Sequence, residues 1–300
     1  MGLKLFKESN VKPHYFIVQV GAGANGSHFI RSLCQDIATY GVQKTFSYHQ
    51  VGPFEYTMYV CDADEVEKKN LKNQLFDEED VGSFKVDALR ERYSEHYNVP
   101  FSSVPQYVTD LEFFQKLFTF PKENKRIIPV LIGMVDNNRS RQLMDEFFHS
   151  NYLDDLIYVD AGVEGVYVVP GKEERQYSQM EKQIAANSGF SGQIVVGFKR
   201  NGQVFLPPVG RVFEDILTDE ETAFPGQSCG EAIINNPQRC ATNKFAAQIA
   251  NNIMNTLFHT NEIGIHAVDF NAKMCGANPT YVSKDIQREY NALIQNIKTF

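Results

Sequence analysis

The chain has 300 residues, of which 43% are hydrophobic and 22% are charged, as in ordinary globular proteins. Its 37 acidic and 29 basic side chains give a formal net charge of −8, which disfavours a nucleic-acid coat because phosphate binding needs a basic face. The longest nearly apolar run, 127–135, falls short of the roughly 20 residues of a membrane helix, and the start of the chain lacks the apolar stretch of a signal peptide. Five cysteines without a Cys-x-x-Cys pair argue against a four-thiolate zinc site and favour reduced thiols in the cytoplasm.

The first half of the chain predicts strands that alternate with helices. An apolar run at 14–20 meets glycines, and apolar residues then recur at three- and four-residue steps over 24–40, as one face of a helix requires. The polar stretch 41–54 is expected to be an excursion. The remaining predicted strands are 56–61, 127–135 and 156–159, and the remaining predicted helices are 85–97 and 138–149. This alternation predicts a parallel sheet with helices on both faces.

The second half of the chain has a different pattern. Residues 171–188 are polar and are expected to form an insertion or a mobile segment. Short β-rich pieces are predicted at 165–169, 192–199, 203–206 and 263–268, and helices at 241–259 and 284–297. No linker is visible, so we expect one domain over 1–300. The predicted class is α/β and Rossmann-like, with a mainly parallel β-sheet, helices on both faces and a β-rich second half.

Three glycines follow the first predicted strand and open the first helix. Gly21, Gly23 and Gly26 form a Gly-x-Gly-x-x-Gly pattern, in which glycine lets the backbone approach a phosphate at a helix N-terminus. The alternative is a tight strand-to-helix turn with no ligand. Asp62 ends the second predicted strand, where an acidic residue holds ribose hydroxyls in dinucleotide folds; the alternative is a solvated strand end. Asp62 follows Gly21 by 41 residues, so a plain NAD domain fits only with an insertion.

Several further motifs occur in a fixed order along the chain. The run at 60–89, VCDADEVEKKNLKNQLFDEEDVGSFKVDAL, is followed by GMVDNNRSR at 133–141. After these come DAG at 160–162, GQIVVG at 192–197 and SCGEAIINNPQRCATNKFAAQIA at 228–250. Together they resemble the ThiF/MoeB and ubiquitin-activating-enzyme family, and the resemblance spans about residues 14–260.

The resemblance implies an ATP-dependent adenylyltransferase. Members of that family activate the C-terminal carboxylate of a small β-grasp protein, ubiquitin-like or sulfur-carrier, as an acyl-adenylate. Some activate a peptide instead. By the resemblance, the glycines would cradle phosphate, Asp62 would hold the ribose and Asp136 would hold Mg²⁺. The phosphate-side residues that it implies are Asn70, Lys72, Gln74 and Lys85.

Some positions carry alternatives or depart from the family pattern. Lys85 could be the exposed start of a helix, Asp136 could be a helix N-cap, and Gln74 could be structural. Asn73 stands where the family has arginine, so Lys72 or an N-terminal lysine (Lys4, Lys7 or Lys12) would have to compensate. Without compensation, the chain would be an ATP-binding scaffold that reacts slowly or not at all.

The resemblance also implies a thiol and partners. Cys229 lies where many family members carry the cysteine that accepts the activated acyl group; Cys240 is the alternative, and both could be buried fillers. The resemblance divides the chain into a nucleotide-binding half, 14–160, and a half at 161–300 for the partner's C-terminal tail and for homodimer contacts. A conjugating enzyme is a possible further partner. The rival functions are a peptide-modifying adenylyltransferase and an NAD-dependent oxidoreductase.

Overall fold

The structure is a computed structural model that describes residues 2–6, 12–40, 42–45, 48–51, 53–121, 126–220 and 237–296. Its strands are β1 (Leu3–Lys4), β2 (His14–Val20), β3 (Val42–Thr45), β4 (Tyr48–Val51), β5 (Phe54–Cys61), β6 (Ser102–Val104), β7 (Ile127–Gly133), β8 (Leu156–Val163), β9 (Ser191–Arg200), β10 (Gln203–Leu206), β11 (Glu262–Ile263), β12 (Ile265–Asn271) and β13 (Gly276–Tyr281).

The α-helices are α1 (Ala24–Thr39), α2 (Lys85–Leu89), α3 (Glu95–Tyr97), α4 (Leu111–Leu117), α5 (Asn138–His149), α6 (Gln179–Asn187), α7 (Val209–Val212), α8 (Asp215–Thr218), α9 (Cys240–Thr260) and α10 (Lys284–Asn296). A π-helical turn at Arg90–Ser94 joins α2 to α3, so the helix predicted over 85–97 is present with a local widening. No helix in the described parts of the chain is both long and apolar enough to cross a membrane.

A single large sheet forms the centre of the fold, in the order β13-β12-β9-β8-β7-β2-β5-β4-β3. Strands β5, β2, β7 and β8 run parallel, and β6 joins β5 in parallel. Strands β9, β10, β12 and β13 continue the sheet in antiparallel pairs, whereas β11 pairs with β1 in a separate two-stranded sheet. Every residue of β7 is buried, as expected for a parallel strand that is covered on both faces. The predicted α/β class with a parallel core is confirmed.

Helices cover both faces of this sheet. Helices α1 and α9 lie on one face and run in the same direction, because Asn25 bonds Asn243 near their starts and Asp36 bonds Asn251 and Asn255 further along. Helices α4 and α5 cover the other face around a second apolar cluster that includes Phe114, Phe118, Met144, Phe147 and Phe148. Val108, Phe114 and Phe118, from the aromatic-rich stretch at 107–120, are buried in this cluster.

The register of the central strands brings their carboxyl ends to one edge. Val20 of β2 pairs with Cys61 of β5 on one side and with Gly133 of β7 on the other. The chain first adds β5 on one side of β2 and later adds β7 on the opposite side, so strand order reverses at β2. Ligands of open α/β sheets bind beyond the strand ends at such a reversal. The segments that follow β2, β5 and β7 therefore meet where a ligand is expected.

The strand predicted at 165–169 is absent, and two stretches predicted only as an excursion and an insertion contain regular structure. The stretch 41–54 holds the β3–β4 hairpin, which adds to the sheet edge through antiparallel pairing with β5. Residues 165–169 do not form a strand, because their backbone N–H groups donate to Pro237, Ser188 and Tyr177 instead of to a neighbouring strand. The polar stretch 171–188 contains α6, which begins with a reciprocal Ser178–Glu181 capping box.

Candidate functional site

The turn between β2 and α1 is shaped by glycines that serve different purposes. Gly21 has φ of +97°, and a Cβ there would lie 2.5 Å from the Met134 carbonyl oxygen. A Cβ on Gly26 would collide with the Gly21 carbonyl oxygen, whereas a Cβ on Gly23 would have no atom within 4 Å. Gly21 and Gly26 are therefore required by close packing. Gly23 is the N-cap of α1, and the space beside its Cα is not occupied by other atoms of the described residues.

A buried amide supports this turn from below. The Gln19 side chain is fully buried, and its Nε2 donates to the Gly21 carbonyl at 2.9 Å and to the Gly26 carbonyl at 3.2 Å. These bonds connect the end of β2 to the glycine turn and to the first turn of α1. The backbone N–H groups at the start of α1 are thereby held at the carboxyl edge of the sheet, where a helix N-terminus favours an anion.

Asp62 lies directly beside the glycine turn. Its Oδ2 accepts from the Ala22 backbone N–H at 2.7 Å, and its Oδ1 accepts from the Asp64 backbone N–H at 2.8 Å. Burial raises the pKa of Asp62, while the Lys85 ammonium opposes that rise. A merely solvated strand end is thus the wrong description of this carboxylate. Each of its oxygens keeps a second lone pair for another donor.

Lys85 forms an ion pair at the same edge. Its Nζ lies 2.7 Å from Asp64 Oδ2, and only 8% of the lysine side chain is exposed. The Tyr107 hydroxyl donates to Asp64 Oδ1 at 2.5 Å. Burial would raise the pKa of Asp64, but the Lys85 ammonium and the two hydrogen bonds lower it. Lys85 does begin α2, yet the alternative of an exposed helix start is wrong because its side chain is buried.

The other phosphate-side candidates lie on the 3₁₀ turn at Lys68–Lys72 or, in the case of Gln74, just after it. Asn70 is 7% exposed; its Oδ1 accepts from the Glu67 N–H at 2.7 Å, and its carbonyl accepts from the Gln74 N–H at 2.9 Å. Among the described residues, no hydrogen bond engages Asn70 Nδ2. Gln74 Oε1 is likewise buried without a hydrogen-bond partner in the described part of the chain. Lys72 is exposed.

Asn73 connects this turn to the start of α9. Its Nδ2 donates to the Gln238 carbonyl and to Asn243 Oδ1, each at 3.4 Å. Asn243 is fully buried and donates in turn to Asn25 Oδ1 at 2.7 Å and to Gln238 Oε1 at 2.8 Å. At the position for which the resemblance implies an arginine, this chain therefore has a neutral amide within a network that joins α1, the 3₁₀ turn and α9.

His28 packs beside that amide network. Its side chain is 8% exposed, and its Nε2 has no hydrogen-bond partner among the described residues. Burial and the nearby Lys244 ammonium lower the pKa of His28 to about 4, although a hydrogen bond with the Asn73 backbone acts in the opposite direction. The imidazole is therefore neutral at pH 7.

This buried histidine predicts acid sensitivity. The unfolded chain binds a proton at His28 below about pH 6.5, whereas the folded chain does so only near pH 4, so the folded state loses stability as pH falls through this window. Between pH 7 and pH 5 the loss from this group is about 2 kcal/mol. Between pH 7 and pH 5, the free energy of unfolding in urea is expected to fall by about 2 kcal/mol less in His28→Gln than in wild type. The exposed His96→Gln is the matched control, and identical pH dependence in wild type and His28→Gln would contradict the assignment.

Asp136 follows β7 at the same edge of the sheet. It is exposed and lines a cavity of about 180 Å³ together with Asn138, Gly162, Gln193 and Phe213, among others. The N-cap of α5 is Asn137, whose Oδ1 accepts from the Ser140 N–H at 2.8 Å. The alternative in which Asp136 caps that helix is therefore wrong. Its carboxylate faces the cavity rim without a hydrogen bond from any described residue.

A buried ion pair fixes the turn that carries Asp136. Arg141 Nε donates to Asp160 Oδ1 at 3.0 Å, and Arg141 Nη2 donates to the Val135 carbonyl at 2.6 Å. The Tyr158 hydroxyl donates to the second oxygen of Asp160 at 3.0 Å. The Asp-Asn and Asp-Ala-Gly motifs are thus joined through Arg141 and Asp160, a contact that their separation in the sequence does not indicate.

The cysteine candidates differ in where they lie. Cys229 and Lys7 fall outside the described residues. Cys240 is the first residue of α9 and is partly buried, whereas Cys34 and Cys61 are buried in the core. No group of three or more His, Cys, Asp or Glu side chains suited to a metal occurs within the described ranges.

The fold is that of an α/β protein whose candidate site lies at the carboxyl edge of its parallel strands. The ThiF family model matches residues 12–278, and the chain belongs to the ThiF family. No curated protein sequence gives a significant match.

Solved structures with the same fold include E. coli MccB with AMPCPP and MccA, at 14% identity and a TM-score of 0.52, covering 91% of this chain and 64% of that one. E. coli MccB with ATP has 12% identity and a TM-score of 0.53, covering 89% and 64%. PaaA has 13% identity and a TM-score of 0.52, also covering 89% and 64%. The chain therefore spans about 64% of the length of these proteins.

Proposed function

We propose that this protein is an ATP-dependent adenylyltransferase that activates a carboxylate. The observation that carries the proposal is the convergence of complementary groups at one sheet edge. These are the open turn at Gly23, the Asp62 carboxylate, the buried Lys85 ammonium and the exposed Asp136 carboxylate. A triphosphate needs N–H donors and a cation, a ribose needs an acceptor, and Mg²⁺ needs an exposed oxygen ligand. Family membership supports the same conclusion.

Each group has a defined task in the proposed reaction. ATP would bind as a substrate, with phosphate against the Gly21–Gly26 turn, ribose hydroxyls on Asp62, and phosphate oxygens on Lys85 and Asn70 Nδ2. An oxygen of the acyl carboxylate attacks the α-phosphorus, and the bond from that phosphorus to the pyrophosphate oxygen breaks. Two anions must approach each other, so charge compensation and positioning dominate over acid–base chemistry.

Asp136 is proposed as the residue that holds Mg²⁺. Its carboxylate is exposed beside the cavity, and Asn137 already caps α5, so Asp136 is available to a cation. Mg²⁺ is typically held by one or two carboxylates together with phosphate and water oxygens. One carboxylate beside the phosphate position suits that mode of binding. The ion would neutralise phosphate charge.

The acyl substrate is proposed to be the C-terminal carboxylate of a small ubiquitin-like or sulfur-carrier protein. The ordered motifs that resemble activating enzymes of such proteins support this class. A peptide substrate would use the same chemistry, and MccB has been crystallised with MccA. We further propose that 1–300 acts as one domain, with the nucleotide on 14–160 and the partner tail and homodimer contacts on 161–300. The Cys229 thiolate is then proposed to attack the acyl-adenylate, so that a thioester forms and AMP leaves.

The rival in which the chain is an inert scaffold rests on Asn73. In this chain Asn73 joins the 3₁₀ turn to α9, and Lys85 supplies a buried cation at the same edge. We therefore propose that Asn73 serves the architecture of the site and that Lys85 provides charge compensation.

Calorimetric titration tests the nucleotide assignment against the NAD-dependent rival. Wild type is expected to bind Mg·ATP more tightly than NAD by at least about tenfold, because the site offers groups for a triphosphate and Mg²⁺. Asp136→Ala is expected to weaken binding of Mg·ATP and to leave binding of adenosine unchanged. Preferential binding of NAD would overturn the proposal.

A further inference from the structure

Tyr107 reaches the proposed nucleotide site from a segment that carries none of the sequence motifs. Strand β6 pairs in parallel with the end of β5, with Val104 opposite Cys61. The chain then turns, as the Gln106 N–H donates to the Val104 carbonyl at 2.8 Å, and the Tyr107 hydroxyl arrives at Asp64 Oδ1. The loop after β6 thereby adds a hydroxyl donor next to the buried lysine.

The segments that carry Asp64 and Lys85 are also joined through their backbones. The Lys85 N–H donates to the Asp64 carbonyl at 2.9 Å. The residue after Asp64, Glu65, forms an antiparallel bridge with the residue before Lys85, Phe84. Main chain and side chain therefore both fix Asp64 against Lys85. The Tyr107 hydroxyl holds one oxygen of the Asp64 carboxylate and thereby restrains the rotation of that carboxylate.

The carboxylates of the site and the proposed polyphosphate compete for the N–H donors of one ammonium, that of Lys85. Two carboxylates, Asp62 and Asp64, lie beside one buried ammonium, and the site is proposed to receive a polyphosphate. A Lys ammonium has three N–H donors, and an unrestrained carboxylate could engage two of them. With Oδ1 of Asp64 held by the Tyr107 hydroxyl, the carboxylate turns only Oδ2 towards the Lys85 ammonium. The other donors of Lys85 then stay available to phosphate.

We propose that Tyr107 is a positioning residue for the phosphate-binding lysine. It acts through Asp64 and sets the direction in which the Lys85 ammonium points. This proposal rests on the proposed function, since that function supplies the polyphosphate. It predicts that the Tyr107 hydroxyl matters for phosphate and not for the adenosine part of the ligand.

Binding of Mg·AMPCPP tests the proposal without an acyl substrate, because the methylene between its α- and β-phosphorus prevents release of pyrophosphate. Tyr107→Phe keeps the ring and removes the donor. We expect its affinity for Mg·AMPCPP to fall about tenfold, the usual scale for losing a hydrogen bond to a charged group, and its affinity for adenosine to stay within about twofold. Tyr290→Phe, which loses a hydroxyl bond to the Lys4 carbonyl away from the site, is the matched control.

A double-mutant cycle with Asp64→Ala separates positioning from general structure. In the Asp64→Ala background the hydroxyl has no carboxylate to hold, so Tyr107→Phe is expected to change the affinity for Mg·AMPCPP by less than about twofold. An unchanged affinity in Tyr107→Phe alone, or a tenfold loss that persists with Asp64→Ala, would overturn the positioning role. Failure of wild type to bind Mg·AMPCPP would instead overturn the proposed function on which it rests.

Discussion

Lys85→Met is expected to lower the rate of ATP–pyrophosphate exchange by about 10²–10³-fold, the scale for removing one preorganised charge-stabilising group. Methionine keeps most of the length of the side chain and its packing while it removes the ammonium. The exposed fraction of the Lys85 side chain is only 8%, so water screens this cation less than it screens a surface lysine. The measurement is the initial exchange rate at saturating ATP and acyl substrate.

Lys116→Met on α4 is the matched control, because Lys116 is a solvent-exposed lysine whose partner is Glu112 on the same helix. It is expected to exchange at the wild-type rate. Thermal unfolding of both variants shows whether the fold is retained, since Lys85→Met leaves the Asp64 carboxylate with the Tyr107 hydroxyl as its one hydrogen-bond donor among the described residues. A folded Lys85→Met protein with an exchange rate within about threefold of wild type would mean that Lys85 is a structural partner of Asp64 only.

Gly26→Ala is expected to destabilise the protein by about 3 kcal/mol, whereas Gly23→Ala is expected to leave the fold nearly unchanged. A Cβ on Gly26 would collide with the backbone at Gly21, and it would also lie 3.0 Å from Gln19 Nε2. A backbone oxygen cannot move aside as the end of a flexible side chain can. The measurement is the free energy of unfolding in urea, from the transition midpoint and its slope.

Gly23→Ala is both the control and a test of the ligand position. A Cβ there meets no atom of the protein within 4 Å, so the variant is expected to unfold within about 1 kcal/mol of wild type. If phosphate approaches this turn closely, the added methyl group should weaken binding of Mg·AMPCPP by about tenfold or more. Wild-type affinity in Gly23→Ala would place the phosphates elsewhere, and equal destabilisation by both substitutions would contradict the packing account.

The sequence predicts the fold best where periodicity and caps act together. Helix α5 begins and ends at the predicted residues, and Asn137 supplies its cap. Strand β10 also matches its predicted range. Strands β6 and β13 were not predicted, and the predicted strand at 263–268 overlaps both β11 and β12. Residues 102–104 lie between prolines and owe their strand character to pairing with β5, and all six residues of β13 are exposed and lack a hydrophobic pattern.

The candidate site could be predicted only in part, for a similar reason. Gly21, Asp62 and Asp136 each follow a strand, so parallel strands in register bring them to one edge. The burial of Lys85 and its pairing with Asp64 depend on how α2 folds back on the chain. The Asp64–Tyr107 bond joins residues 43 positions apart, and the Asn73–Asn243 bond joins residues 170 apart. Neither contact leaves a periodic signal in the sequence.

The central claim, that this chain forms an acyl-adenylate, is tested most directly by exchange of radiolabelled pyrophosphate into ATP. The assay contains Mg²⁺ and, in separate reactions, small ubiquitin-like or sulfur-carrier proteins and short peptides with free C-terminal carboxylates. If the chain forms an acyl-adenylate, label enters ATP only when an acyl substrate is present, and Asp136→Ala abolishes the exchange. Tight binding of Mg·ATP with no exchange for any of these carboxylates, in wild type and in Asn73→Arg alike, would contradict it and identify an ATP-binding scaffold.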